Sequence, residues 1–334
     1  MNINSMSFTA NRDPLRRFTP TPLVSRLPVM GRTIRLETNN RAVLNRTQQL
    51  FEPYGRSPAE GTDFVWRIVT EGRTEPTPSW PAIAGFSEEG LRFVSFGQRS
   101  FFAIDLNASE AVGFLPEDLA NEAAGFASAF LSTLFDMTAA ALRLTPIAAA
   151  CVSLEKNGLL VFGPATSGKT VSTYLAGEKG LTFHSDQATF LELKADVLCA
   201  WGQFWPSAFR PDAETFLPEL RSSFRPFKYA DLTFLSLENP FRAPEAYKVF
   251  PVCCVFLRRQ AGGLPRLKRL KPLDFADLLK ASLPFEEDKR FEAERDVVLR
   301  AIALLPAYEL VFGDLHAAAS CYRELLTTHQ SVEA

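Results

Sequence analysis

The stretch Gly163-Pro164-Ala165-Thr166-Ser167-Gly168-Lys169-Thr170 is a complete G-x-x-x-x-G-K-[ST] pattern. An apolar run, 159–162, leads into it, and a helical pattern, 170–178, leaves it and stops at Gly180. Strand, loop and helix in that order make an anion cradle. Amides from about Ala165 to Thr170 converge on phosphates, and the helix N-terminus adds its positive end. Gly163, Ala165, Thr166, Ser167 and Gly168 then shape a nucleotide site. Lys169 reaches the β and γ phosphates of ATP, and the Thr170 hydroxyl ligates Mg²⁺.

Outward from the loop, the first acid of interest is Asp186, at the end of a predicted strand over 181–185. It follows Lys169 too soon for a long crossover. Residues 188–201 next read as an antiparallel hairpin turning at Ala195-Asp196. Upstream, the apolar runs 148–154 and 159–162 flank Lys156-Asn157-Gly158, whose Asn-Gly pair predicts a hairpin turn. The acid therefore sits on a strand reached directly from the loop helix, beside a meander.

This arrangement resembles the catalytic core of the HPr kinase/phosphorylase-like proteins, bacterial ATP-dependent serine kinases. That core has a hairpin strand, a G-x-S-G-x-G-K-[ST] loop, a helix ending in Gly and a strand ending in an Asp-Asp pair. Lys169, Gly180 and Asp186 fall where that pattern wants them. Phe209-Arg210-Pro211-Asp212, residues 216–220 and 305–310, and Glu37-Thr38-Asn39 followed by a helix are similar to divergent HPr-kinase-related members. The resemblance implies an α/β protein with a P-loop HPr kinase-like catalytic domain and a small N-terminal α+β module. It implies ATP and Mg²⁺ as cofactors and a hydroxyl on a small protein, peptide or metabolite as phosphoacceptor. Asp186 would accept the hydroxyl proton or hold Mg²⁺ through water. Two positions depart from the pattern: Gln187 replaces the second acid, and Ala148 stands near the place of an upstream histidine. Both changes remove proton-handling groups and keep the grip on phosphate and metal. A nucleotide-binding regulatory or scaffold protein with little catalysis therefore stays open beside the kinase.

Three further features carry two readings each. His184, two residues before Asp186, would share its face on a regular strand and could replace the missing histidine, or simply pack. Arg210, in a Pro-flanked loop, reads as a phosphate clamp or as the ion-pair partner of Asp212 or Glu214. The run 258–271 holds six basic residues around Gln260-Ala261-Gly262-Gly263. It could bind an acidic peptide or nucleotide phosphates, or be an edge hairpin protected by charge.

Composition bounds the rest. The chain has 334 residues, 36 Lys+Arg against 38 Asp+Glu, and a net charge of −2, which argues against nucleic acid or an anionic membrane as main partner. Three histidines make multi-histidine metal sites poor candidates. Five scattered cysteines read as reduced core thiols, with Cys253 and Cys254 pointing to opposite faces of a strand. The polar N-terminus and the Arg143 and Pro146 interruptions of the apolar stretch 137–154 predict a soluble cytoplasmic protein with no membrane span. The 29 phenylalanines read as core rather than as a stacking patch.

Three parts are expected. Residues 1–30, with Pro14, Pro20, Pro22 and Pro28, form an irregular arm; 31–125 form the α+β module; and 126–334 form the P-loop domain. In the module, strands are predicted over 33–37, 64–70, 91–96 and 101–105, with a helix capped by Asn39 or Asn40. The P-loop domain opens on a helix over 126–142 and adds strands at 249–257 and 265–270. It closes with helices near 275–279, 289–304 and 316–326. A homo-oligomer is compatible with all of this.

Overall fold

The computed structural model describes residues 19–55, 61–72, 80–243, 245–246, 248–283 and 289–330. It is a mixed α/β structure in which two large sheets each carry helices over their apolar faces.

The first sheet has seven strands. Leu23–Val29 and Arg32–Thr38 pair as a hairpin, and helix Arg41–Phe51 crosses to Phe64–Glu71. That strand lies parallel to both Arg32–Thr38 and Glu110–Pro116, and the meander Ile83–Glu88, Leu91–Phe96, Ser100–Asp105 completes the sheet. Asn40 is the helix cap, its Oδ1 accepting from the amides of Ala42 at 2.8 Å and Val43 at 3.2 Å. Asn39 instead ties the helix start to the Thr70 backbone.

Several expectations change here. The segment expected to end an irregular arm is the strand Leu23–Val29, and it accepts Pro28 because it is an edge; residues 1–18 of that arm lie outside the described residues. Ile83–Glu88 is exposed throughout, so it lacks the alternation that announces a strand. The helix expected over 126–142 is shorter and composite: a π-helical stretch Phe126–Leu131 continues into Ser132–Thr138. Its Phe126, Phe130, Leu134 and Phe135 are buried against the first sheet with Phe204 and Trp205, so it packs with the N-terminal half. Not every phenylalanine is core, either. Phe86 (63% exposed) heads a row of rings through Phe93, Phe101 and Phe114, with centroids 5.7, 5.3 and 4.8 Å apart.

The second sheet has six strands in the order Thr182–Ser185, Ala150–Leu154, Asn157–Phe162, Phe250–Arg259, Ala307–Phe312, Arg266–Arg269. Helices Lys169–Glu178 and Leu315–Gln330 cover one face, and Pro272–Lys280 and Lys289–Ala303 the other. Strand alternation sends Cys253 into the first of these cores and Cys254 into the second, and all five thiols are free. The hairpin before the P-loop turns at Glu155 and Lys156, not at Asn157-Gly158. Gly158 lies within the strand, where a Cβ would come 3.1 Å from Val249 Cγ2.

Two three-stranded sheets flank this core. One is the expected hairpin Thr189–Lys194/Val197–Trp201, joined by Thr145–Ile147. The other, Ser207–Phe209 with Arg225–Tyr229 and Leu232–Leu237, was not expected; its tight turn uses Ala230 and Asp231 at positive φ without glycine. Among the described residues, no helix is long and apolar enough to cross a membrane.

Gly202, after the hairpin, has no room for a side chain: a Cβ would stand 2.1 Å from the His184 carbonyl oxygen. Backbone meets backbone there. Gly202→Ala is therefore expected to cost roughly 2–4 kcal/mol, read as a lower urea midpoint at unchanged slope.

Candidate functional site

A cleft of about 1060 Å³ opens at the C-terminal ends of Asn157–Phe162, Thr182–Ser185 and Phe250–Arg259, with residues 163–171 as its floor. The loop keeps its shape through backbone conformations its sequence permits. Gly163 has φ +152°, Thr166 +65° and Gly168 +95°. A Cβ on Gly163 would lie 2.7 Å from Ser167 Oγ, and one on Gly168 would lie 2.6 Å from Leu315 Cδ2. The Ser167 amide turns back to the Pro164 carbonyl at 3.2 Å. The first amides of helix Lys169–Glu178 have no intrahelical acceptor, and Gly168, Lys169 and Thr170 all line the cleft. The helix ends as expected at Gly180 (φ +82°), where the Leu181 amide bonds back to the Ala176 carbonyl at 3.1 Å.

Lys169 Nζ donates to the carbonyls of Gly163 (2.5 Å) and Pro164 (3.1 Å), lying along the loop. Burial lowers its pKa, and the nearby Asp186 carboxylate opposes that shift. Asp186 is 1% exposed. Burial pushes its carboxyl from 3.8 up to about 6, against the pull of Thr170, Gln203, Arg242 and Ser207. Oδ1 accepts from Gln203 Nε2 at 2.8 Å. Oδ2 and Ser207 Oγ are buried without a partner, so the Thr170 and Ser207 hydroxyls stand close without closing a bond of full geometry. An acid oxygen with an unused lone pair beside the P-loop hydroxyl is the donor set Mg²⁺ takes, with phosphate oxygens and water for the rest. No group of three or more His, Cys, Asp or Glu among the described residues forms a complete metal cage.

The sequence gives no warning of Gln203. Buried at 3% exposure, it brackets the acid from seventeen residues away. Its Oε1 accepts from the amides of Asp186 (3.2 Å) and Gln187 (3.1 Å), while Nε2 holds Oδ1 and the Trp205 carbonyl. Arg242, also unforeseen, donates to the carbonyls of Phe204 and Trp205 behind the acid. Gln203→Leu would leave two buried amides and Oδ1 unpaired. We expect a loss of roughly 2–4 kcal/mol, measured by urea denaturation, and protonation of Asp186 above pH 6.

His184 does not share the acid's face. A register shift between Phe183 and Ser185 breaks the strand alternation. Its Nε2 lies 2.9 Å from Ser153 Oγ, and burial, then Arg242, pushes its pKa down to about 4. It lines a separate small cavity with Tyr54 and Gly202. Ala148 and Gln187, the two departures from the resembled pattern, both line the main cleft together with Asp186. Arg210 also reaches the cleft. Its guanidinium lies over the Phe234 ring at 5.3 Å, while Glu214 pairs with Arg221. The basic run divides: Arg258 and Arg259 line the cleft, whereas Arg266–Arg269 is an exposed edge strand.

No family model matches the chain, and no curated protein matches its sequence. Among solved structures, the HPr(Ser) kinase/phosphatase from Coxiella burnetii matches over 56% of this chain and 97% of its own. The identity is 11% and the TM-score 0.28, a distant relationship at most.

Proposed function

We propose that this chain is an ATP- and Mg²⁺-dependent phosphotransferase of HPr kinase-like type, moving the γ-phosphate to a hydroxyl on a small protein, peptide or metabolite. The observation that carries the proposal is the convergence of Lys169, Thr170 and the buried Asp186 on one cleft at the head of a strand–loop–helix. In this reading the P-loop domain, expected over 126–334, supplies the chemistry.

The loop amides and Lys169 would hold the β and γ phosphates, and Arg210, Arg258 and Arg259 add positive charge at the rim. Thr170 and Asp186 would hold Mg²⁺, which neutralises charge on the phosphates when bound. Asp186 would also take the proton from the incoming hydroxyl. Without metal its carboxyl is raised to about 6 and Gln203 holds it in place. Mg²⁺ bound directly to the same oxygens would lower that value, so the base role requires Asp186 to meet the metal only through water.

A second reading is favoured by Ala148 and Gln187, which leave the cleft without a histidine or a second acid beside Asp186. It makes the chain a nucleotide-binding regulator with little catalysis. Incubation with γ-labelled ATP and Mg²⁺ separates the two. Label released to water or to a hydroxyl acceptor, and lost in Asp186→Asn, supports transfer. Tight ATP binding with no label released over hours supports the regulator.

A further inference from the structure

The strand Arg266–Arg269 ends the six-stranded sheet and pairs only with Ala307–Phe312, antiparallel, so no described strand occupies its outer side. All four of its residues are exposed. Beside it runs a groove of about 520 Å³ against helix Leu315–Gln330, with Leu267, Ala317, Cys321 and Leu325 among its walls. Leu267 is 43% exposed and Leu264, just before the strand, 80%. Arg266, Lys268, Arg269 and the following Lys271 carry the charge, and none of them forms an ion pair shown among the described residues. Glu309, across from Lys268 in register, pairs with Arg258 instead at 3.5 Å.

We infer that this edge is a docking strand for an extended acidic segment of a partner protein. The segment adds to Arg266–Arg269 through backbone hydrogen bonds and sends alternate side chains into the groove. An open ladder of amides and carbonyls beside a helix-walled groove is complementary to a polypeptide backbone. Lipid headgroups and nucleic acids offer phosphates but no such ladder. A second copy of this strand is disfavoured, because like charges placed across a strand pair repel. Positive charge thus blunts self-pairing and at the same time selects the sign of the guest.

The groove also lies next to the cleft. Ala317 is two residues beyond Leu315, which packs on the Gly168 backbone of the P-loop. Arg266, at one end of the strand, stands opposite Val311 near the C-terminal end of Ala307–Phe312. A docked segment therefore ends near the P-loop. Delivery of a hydroxyl to Asp186 from there rests on the phosphotransfer reading; the docking itself does not.

The test is selection of a displayed library of random decapeptides on the immobilised full chain. Enrichment of sequences alternating apolar residues with Asp or Glu is expected. The best synthetic peptide, followed by fluorescence anisotropy, should lose about tenfold or more in affinity against the double variant Arg266→Glu, Arg269→Glu, whose register partners Val311 and Tyr308 are uncharged. N-methylation of alternate peptide amides should abolish binding. The double variant should keep the parent's melting temperature and its ATP affinity. Enrichment of basic peptides, no enrichment, or equal binding of the N-methylated peptide would overturn the inference, as would binding of phosphatidylserine vesicles in place of peptides. Failure of the chain to bind ATP, with peptide affinity intact, would sink the phosphotransfer reading and spare the docking strand.

Discussion

Lys169→Ala is expected to weaken ATP binding about a hundredfold, roughly 3 kcal/mol, and to remove any phosphoryl transfer. The lysine is the one ammonium in the P-loop, and its Nζ already lies along the loop, bonded to the Gly163 and Pro164 carbonyls. A phosphate chain in the cradle would offer that nitrogen charged acceptors in place of neutral ones, which are about twice as strong. Burial lowers the lysine's pKa while Asp186 opposes the fall, so an arriving anion would relieve part of the cost of keeping it charged. Folding should survive the change, because the two released carbonyls lie at a solvent-accessible cleft. Lys169→Arg should not rescue, since the longer planar guanidinium cannot adopt the ammonium's position under the loop. Calorimetric titration of ATP into both variants decides the matter; parent-like affinity in Lys169→Ala would rule out a phosphate-binding role for the loop.

Asp186→Asn is expected to stabilise the nucleotide-free protein at pH 7.5 while removing its Mg²⁺-dependent activity. The sign follows from the buried carboxyl. Its folded pKa is raised from 3.8 to about 6, so its favourable contribution is full below about pH 3.8 and is lost as pH rises through 6. Above that point the chain carries a buried carboxylate only partly compensated by Gln203, Arg242 and Lys169. The span between the two values corresponds to at most about 3 kcal/mol at ~1.36 kcal/mol per pH unit. Asparagine is neutral throughout. The parent and variant stabilities should therefore coincide near pH 4 and separate up to pH 7, the variant ending higher. Mg²⁺ added to the ATP-bound protein should raise the melting point of the parent further and leave that of the variant nearly unmoved. Parallel urea midpoints across pH 4–8 would show that Asp186 is not held as a strained, raised acid.

Much of the core was readable because its signals are local. The P-loop, the Gly180 helix stop, a cap at Asn39 or Asn40 and the Ala195-Asp196 turn each depend on a few consecutive residues and stand where the sequence places them, with Asn40 the one that caps. Alternation failed where it was absent or broken. Ile83–Glu88 is exposed on both faces, Arg225–Leu237 turns without glycine, and the register shift at His184 moves it away from Asp186. The Asn-Gly signal lost to packing, since Gly158 is needed where Val249 comes close. Phe126–Thr138 was expected to open the P-loop domain, but an apolar helix fits either sheet, and the facing Trp66, Trp80, Phe96 and Phe102 seat it on the first.

At the site, the sequence alone determined the cradle, its lysine and hydroxyl, and the acid's place at the end of a nearby strand, because short-range backbone chemistry sets all of these. Tertiary structure decided the acid's protonation and orientation. Those depend on Gln203 and Arg242, brought in by chain segments remote from the loop, and on a burial that no single stretch of sequence specifies. It also decided the division of the basic run, with Arg258 and Arg259 at the cleft and Arg266–Arg269 on the open edge. Which face of a sheet a charge meets is fixed by strand order, and strand order is set by long-range pairing.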